Sequence, residues 1–206
     1  MKIAILTFDG FNEIDSFVSH HILNRIELDD WSVAITCPSE SVTSTNGVRV
    51  SAQQPLEFAN EADAVLFGGS PRSRQIVEDR AIMSRLKLDP KRQLIGSQCA
   101  GAWFLAKLGL LANQPVCTSL NSRAGLEAMG IRVLDQPFVA SGNVASAGGC
   151  LASPYLAGWV ISRLVGRAAA EKALRVVAPV GEKTQYVEKV LGVVAPLATA
   201  GVERVA

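Results

Sequence analysis

Short apolar segments alternate with segments of helical spacing along most of the chain. Residues 15–27 place apolar side chains at helical intervals, and residues 74–88 and 100–112 also favour helices. Strands that alternate with helices of this length are typical of a three-layer α/β/α sandwich with a mostly parallel sheet. The segments that predict its buried strands are "KIAILTF" (2–8), "WSVAITC" (31–37), "ADAVLFGG" (62–69) and "QLIGSQ" (93–98).

The second half of the chain continues this alternation and then becomes helical. Residues 115–119 predict a short strand, and "RVLDQPFVASGNVASAG" predicts two extended pieces. From about residue 153 the pattern is helical, and the Ala/Val-rich tail is expected to fray. A chain of 206 residues is long enough for one full hydrophobic core and too short for two ordinary domains with a linker. We therefore expect residues 1–206 to form a single α/β domain.

The composition excludes several classes of partner. Lys and Arg number 20 against 19 Asp and Glu, and no basic run is dense enough to hold a phosphate backbone, so a nucleic-acid partner is not expected. The N-terminal apolar stretch closes at Asp9 and is too short for a signal peptide or a membrane span, which predicts a cytoplasmic protein without a membrane partner. Because the cysteines form no CxxC pair, we expect reduced thiols, no metal site and no cofactor. They are Cys37, Cys99, Cys117 and Cys150.

Cys99 lies where a predicted strand gives way to a helix with almost no loop, in "LIGSQCAGAW" (94–103). Functional residues of open α/β sheets collect at such carboxyl ends of strands. The small neighbours Ser97, Ala100 and Gly101 suit a sharp strand-to-helix turn, and we expect a strained backbone at Cys99 with φ outside the common regions. Free N–H groups at the helix start would stabilise a thiolate, so the pKa of Cys99 is expected to fall. The alternative is that Cys99 is a buried, small apolar residue.

Three motifs follow three predicted strands in order: "FDGFNEID" (8–15), "VLFGGS" (65–70) and "GSQCAGAWFLAKLGLL" (96–111). With them, the chain from residue 2 to about residue 165 resembles the ThiJ/PfpI superfamily, to which DJ-1 belongs. The spacing and the "SAGG" ending at Gly149 are most similar to the isocyanide-hydratase branch and to the amidase-like domains of certain AraC-type regulators. The resemblance implies a flavodoxin-like sandwich, similar to class I glutamine amidotransferases. Cys150 follows "SAGG" and would approach the site if that loop does.

The resemblance implies roles for individual residues. It makes Cys99 the reactive cysteine and Asp15 the acidic residue whose protonated carboxyl group donates a hydrogen bond to the thiolate. The N–H groups of Gly69 and Ala100 would form an oxyanion hole. Two alternatives stay open, in which Asp15 is a helix cap and Gly68-Gly69 is a plain turn.

Three further residues are candidates for contact with a substrate. We call the sharp strand-to-helix turn at Cys99 the elbow, and the helix that follows it the elbow helix. Many hydrolytic relatives carry a histidine just after the strand that follows this helix, and this chain has Ser119 there. Ser70 and Arg72 lie at a basic loop beyond the second glycine of "FGGS", which is either solvated or binds a carboxylate or phosphate. The two histidines, His20 and His21, are both on the first predicted helix. Without a general base beside the thiol, a protease is not expected.

Chemistry that needs only a thiolate and one protonated carboxyl group remains. The resemblance implies a small-molecule hydratase or hydrolase-like enzyme that acts on an electrophile such as an isocyanide, although Ala100 replaces the threonine that is commoner in that branch. The first alternative is a non-catalytic redox-sensing or stress-response protein whose Cys99 is oxidised to sulfinic acid, stabilised by Asp15. The second is a ligand-binding domain that works without a DNA-binding partner.

The resemblance also implies a homodimer. Relatives usually pair through the first helix and the loops near the elbow, which places Phe17, His20 and His21 at or near the interface. Helical spacing puts His21 with Phe17 and Val18 near the apolar face of that helix. A histidine in that position is expected to pack or to lie at an interface rather than to catalyse.

Overall fold

The computed structural model describes residues 1–198, which form a seven-stranded sheet, a separate two-stranded hairpin and eight α-helices. The strands are β1 Lys2–Leu6, β2 Ser32–Cys37, β3 Ser41–Thr43, β4 Arg49–Ser51, β5 Gln54–Pro55, β6 Ala64–Phe67, β7 Leu94–Gln98, β8 Phe138–Ser141 and β9 Val144–Ala147. The helices are α1 Glu13–Leu23, α2 Ser73–Ile76, α3 Arg80–Met83, α4 Ala102–Lys107, α5 Leu120–Glu127, α6 Ser153–Leu164, α7 Arg167–Val177 and α8 Lys183–Ala198. None of the described helices is both long and apolar enough to span a membrane.

The large sheet has the strand order β5-β2-β1-β6-β7-β9-β8. Its strands pair in parallel, except that β8 and β9 form an antiparallel pair at one edge. Helices cover both faces, so the predicted three-layer α/β/α fold with a mostly parallel sheet is confirmed. Because parallel strands end at the same edge, the loops that follow β1, β6, β7 and β9 meet there.

Alternate residues of the strands feed two separate cores. Ile3 and Ile5 of β1 pack on one face of the sheet with α1, α6, α7 and α8, around the fully buried Trp159. Ala4 and Leu6 point to the opposite face, where they pack with α4 and α5. This alternation is the period-2 pattern of a strand covered by helices on both sides.

Two predicted helices are interrupted in the structure. The single helix predicted over residues 74–88 is wrong: α2 ends at Ile76, and α3 begins anew because the carboxylate of Asp79 accepts a hydrogen bond of 2.8 Å from the N–H of Ala81. The helix predicted over residues 100–112 is shorter. It follows a 3₁₀ turn and ends at Lys107, just before Gly109, whose φ of +71° is left-handed.

The strand predicted over residues 115–119 is reduced to one bridge. Val116 pairs with Val133 outside any extended strand, and the chain then turns into α5. The predicted C-terminal helices from about residue 153 are present as α6, α7 and α8. The end of the tail, where fraying is predicted, lies outside the described residues.

Helix α1 presents a different face to the core from the one its apolar spacing predicts. The buried residues are Asp15, Ser16, Ser19, Ile22 and Leu23. Small polar side chains take part because they fit against the strand ends, where the hydroxyl of Thr7 donates a hydrogen bond of 3.1 Å to that of Ser16. His21 is exposed, so its predicted position near the apolar face is wrong.

Candidate active site

Cys99 has a left-handed backbone conformation at the end of β7. Its φ of +54° is a conformation that non-glycine residues rarely adopt, and the predicted strain is confirmed. The hydroxyl of Thr118 donates a hydrogen bond of 2.9 Å to the carbonyl oxygen of Cys99 and holds the turn in place. The residue itself is buried, with 9% of its surface exposed.

Two glycines beside this turn leave no space for a side chain. A Cβ on Gly101 would collide with the carbonyl oxygen of Phe67, so glycine lets the start of the elbow helix approach the end of β6. A Cβ on Gly69 would collide with a carboxyl oxygen of Asp15 and lie 3.0 Å from the backbone nitrogen of Ala100. The loop after β6 is therefore in close contact with both Asp15 and the elbow.

Asp15 is in the first turn of α1 and is not its cap. The cap is Asn12, whose Oδ1 accepts a hydrogen bond of 3.1 Å from the N–H of Ile14, so the helix-cap alternative for Asp15 is wrong. Only 2% of Asp15 is exposed, and neither carboxyl oxygen has a hydrogen-bond partner of normal geometry among the described residues. The side chain is aimed instead at the sulfur atoms of Cys99 and Cys150.

Cys150 brings a second thiol to the site. Its Sγ lies 4.0 Å from that of Cys99 and accepts a hydrogen bond of 3.1 Å from Nδ2 of Asn12. The side-chain amide of Gln98, next to the elbow, donates to the carbonyl oxygens of Gly149 and Cys150. The loop after β9 is thus tied to both the elbow and the start of α1.

Burial keeps the proton on Asp15 to an unusually high pH. Loss of water around the carboxylate raises its pKa from 3.8 to about 6, and contacts with the thiols of Cys150 and Cys99 and with the N–H of Gly69 offset only part of that effect. The carboxyl group therefore stays protonated in mildly acidic solution.

Burial also raises the pKa of the Cys99 thiol, with further contributions from the negative charge of Asp15 and from Cys150. The N–H of Ala100 favours the thiolate, but this effect is smaller than the loss of hydration. The expectation that the helix N-terminus lowers the pKa of Cys99 is thus wrong for this structure. The pKa of the Cys150 thiol is raised as well, again mainly by burial.

Two depressions meet at Cys99. The larger, of about 560 Å³, runs along α5 and the segment before β8, and the smaller, of about 390 Å³, extends towards α1 and the loop after β6. Cys99, Ser119, Asn121 and Cys150 line both of them. The buried elbow is therefore open to small molecules from two sides.

The other candidate site residues are placed unequally. Gly69 and Ala100 line the smaller depression side by side, with the N–H of Gly69 facing the Asp15 carboxyl group. Ser119 lies between the two depressions, where its hydroxyl contacts that of Ser122 at 2.9 Å. Ser70 also lines the smaller depression, but its hydroxyl is bonded at 2.7 Å to the carbonyl oxygen of Gly10.

Arg72 lies away from these depressions and lines a separate one with Phe8 and Asp9. Its neighbour Arg74 lines the smaller depression at the site and stacks over the Trp103 ring at 5.3 Å from the centroid. Arg74 is thus the basic side chain of this loop that the structure brings to the site.

One group of potential metal ligands is present among the described residues. One ligand atom each of Asp15, Cys99 and Cys150 lies within 4.8 Å of the other two. Two thiolates and a carboxylate suit a borderline or soft ion such as Zn²⁺. Binding would require all three groups to lose their protons, which burial opposes.

The comparisons with known proteins agree with this architecture. The sequence profile of the DJ-1/PfpI family matches residues 1–163. The chain belongs to the DJ-1/PfpI family. A search of curated proteins finds no significant match.

Solved structures of DJ-1/PfpI relatives show the same fold. Schizosaccharomyces pombe DJ-1 is 17% identical, with a TM-score of 0.74 over 87% of this chain and 100% of its own. A cysteine-to-alanine mutant of a DJ-1 superfamily protein from Salmonella typhimurium is 26% identical, with a TM-score of 0.73 over 86% and 98%. An AraC family transcriptional regulator from Pseudomonas putida is 19% identical, with a TM-score of 0.69 over 86% and 99%.

Some residues of this DJ-1/PfpI site were not singled out in the sequence. Asn12, Thr118 and Arg74 act through side-chain hydrogen bonds or a ring contact that no motif marks. The approach of Cys150 depended on where the "SAGG" loop lies. Pairing of β7 with β9 settles this, because it brings the ends of the two strands next to each other.

Proposed function

We propose that the chain is a cysteine-dependent enzyme that adds the Cys99 sulfur to the electrophilic carbon of a small neutral molecule, in the manner of an isocyanide hydratase. The observation that carries this proposal is the buried Asp15 carboxyl group beside the Cys99 sulfur, where two depressions meet. A nucleophile and a proton donor then lie at one point that a substrate can reach.

For an isocyanide the steps balance without a further reactant except water. The Cys99 sulfur bonds to the isocyanide carbon, the Asp15 carboxyl group delivers its proton to the same carbon, and the thiol proton then passes to the resulting carboxylate. This gives a thioimidate. Water then attacks that carbon, one of its protons goes to the nitrogen, the carbon–sulfur bond breaks, and the other water proton returns to the Cys99 sulfur. The product is an N-substituted formamide.

The electrostatics of the site favour a neutral substrate. Asp15 and Cys99 both have raised pKa values, so both enter the reaction protonated below the Asp15 pKa of about 6, and a charged substrate would meet a poorly hydrated site. No histidine lines either depression. Since expulsion of an amine needs a suitable acid, this supports a function other than peptide hydrolysis.

The test is a panel of isocyanides, glyoxals and amides assayed with four proteins. We expect wild type and Cys37→Ser to convert one class, and Cys99→Ser and Asp15→Asn to lose at least about 100-fold in kcat/KM, the contribution typical of a nucleophile or a general acid. Cys37 is the matched control because it is buried outside both depressions. Unchanged turnover in Cys99→Ser would overturn the proposal.

We also propose that the protein acts as a homodimer. Three large apolar side chains are exposed around the site: Ile14 in α1, Leu120 at the start of α5 and Leu151 next to Cys150. We call them the apolar rim. The turn that holds Leu151 contacts α1, and Leu120 lines the larger depression together with Cys150. Burial of the rim against a second copy would remove apolar surface from water and narrow the entrance to the site.

A further inference from the structure

We propose that Cys99 and Cys150 form a reversible disulfide when a hydroperoxide oxidises the protein, with Cys99 as the oxidised thiol and Cys150 as the resolving thiol. This proposal goes beyond the addition chemistry described above and does not depend on it. It also differs from oxidation to sulfinic acid, because the second thiol intercepts the first product of oxidation.

The geometry brings the two sulfur atoms close to bonding distance. They lie 4.0 Å apart, whereas a disulfide requires about 2.05 Å, so a shift of about 2 Å completes the bond. Cys99 is held in the elbow by Thr118, but Cys150 is half-buried in a short turn after Gly149. Gly149 has a φ of +86°, and nothing lies within 4 Å of the position that a Cβ would take there, so the backbone just before Cys150 is not packed against a neighbour at that point.

The surroundings of the pair support transfer of its protons. A carboxyl oxygen of Asp15 lies within 4.8 Å of both sulfur atoms, and above its pKa of about 6 the ionised group can accept a proton from either thiol. The N–H of Ala100 favours negative charge on the Cys99 sulfur, and Nδ2 of Asn12 does so for Cys150. Each sulfur thus has one N–H donor for its ionised form, and both share one base.

The chemical steps balance with a hydroperoxide as oxidant. The Cys99 sulfur attacks the terminal peroxide oxygen, the O–O bond breaks, and the thiol proton goes to the leaving oxygen, which gives a sulfenic acid and an alcohol or water. The Cys150 sulfur then attacks the Cys99 sulfur, and the sulfenic hydroxyl leaves as water with the Cys150 proton. An external dithiol restores both thiols by exchange.

The other two cysteines are poorly placed for this role. Cys37 and Cys117 are almost completely buried and line neither of the two depressions. Neither belongs to the cluster formed by Asp15, Cys99 and Cys150. They therefore serve as internal controls for the specificity of oxidation.

The experiment is titration with hydrogen peroxide, followed by alkylation of the unfolded protein, intact mass measurement and non-reducing peptide mapping. We expect wild type and Cys37→Ser each to lose the mass of two hydrogen atoms, with Cys99 and Cys150 in one linked peptide. The number of thiols that can be alkylated should fall from four to two in wild type and from three to one in the variant. Dithiothreitol should reverse the change.

The variants Cys150→Ser and Cys150→Ala should instead gain one and then two oxygen atoms on Cys99. Circular dichroism identifies a variant that fails to fold. If one of the two Cys150 variants does not fold, the other still provides the test. The proposal would be overturned if wild type formed sulfinic acid on Cys99 at the peroxide concentration that produces it in the Cys150 variants and gave no linked peptide. A disulfide that joins Cys99 to any other cysteine would also overturn it. These outcomes are independent of the substrate panel, so failure of one proposal is distinguishable from failure of the other.

Discussion

At the scale of single residues, burial of the Asp15 carboxyl group has a measurable cost in folding stability. Its carboxyl group is almost completely buried without a hydrogen-bond partner of normal geometry among the described residues, and it faces two sulfur atoms rather than a cation. Native proteins place such a group in their interior rarely, and a functional role is a common reason. The cost falls on the ionised form, so it depends on pH.

We expect replacement of Asp15 by Asn to change the pH dependence of stability. The folded-state pKa is raised from 3.8 to about 6, so the native state binds the proton more tightly than the unfolded chain. The resulting stabilisation is fully present below about pH 4 and is lost as the pH rises through about 6, a change of about 3 kcal/mol.

The measurement is urea denaturation of wild type and Asp15→Asn between pH 3 and pH 8. The free energy of unfolding of wild type minus that of the variant should fall by about 3 kcal/mol across this range. Subtraction removes the other titrating groups, which the two proteins share. A difference that stays constant or rises with pH would show that the carboxyl group is not held protonated by the fold.

At the scale of elements, the turn from β7 to α4 stores strain at the residue that the site uses. A left-handed residue with a Cβ costs about 1 kcal/mol relative to glycine. The hydrogen bond from Thr118 and the close approach of Gly101 to β6 hold the turn in this conformation. The left-handed conformation directs the side chain of Cys99 out of the sheet and towards the depressions.

This strain predicts an inverted order of stability for two variants. Cys99→Gly should be about 1 kcal/mol more stable than Cys99→Ala, because both lack the sulfur but only glycine adopts a φ of +54° without cost. Ala106→Gly in α4 is the matched control and should lose about 1 kcal/mol. Thermal or urea denaturation of the three variants and wild type measures the effect, and equal stability of the two Cys99 variants would contradict it.

The sequence predicted the elements that bury a clear apolar pattern and missed those that depend on polar contacts. The strands β1, β2, β6 and β7 follow from their short apolar runs, because both faces of the sheet are covered. The break between α2 and α3 depends on one carboxylate, that of Asp79. The face of α1 depends on serines that fit against strand ends, which a measure of hydrophobicity does not register.

The candidate site divides in the same way. The elbow at Cys99 was predictable because small neighbours and the strand-to-helix junction are local features of the chain. The raised pKa of its thiol was not, because burial by distant segments exceeds the local effect of the helix N-terminus. The contact between Cys99 and Cys150, which are 51 positions apart, exists only in the assembled sheet.

At the scale of the whole molecule, the apolar rim predicts the oligomeric state. We expect a dimer in sedimentation at micromolar concentration and a monomer when Leu151 and Ile14 are each replaced by Glu, because a carboxylate in an apolar interface is costly to desolvate. Val180, an exposed apolar residue outside the rim, supplies the control Val180→Glu, which should remain dimeric. Monomeric wild type would exclude the proposed pairing.

The four loops that build the site have a consequence for how the chain acquires its chemistry. Asp15, Gly69, Cys99 and Cys150 follow four different strands, and no short contiguous fragment contains them all. Each lies in place only after β9 has docked beside β7 and β1 beside β6. The four residues therefore come together only when the whole sheet has assembled. During refolding, turnover that depends on Cys99 and Asp15 should appear in the last cooperative step and should not accumulate in a partly formed sheet.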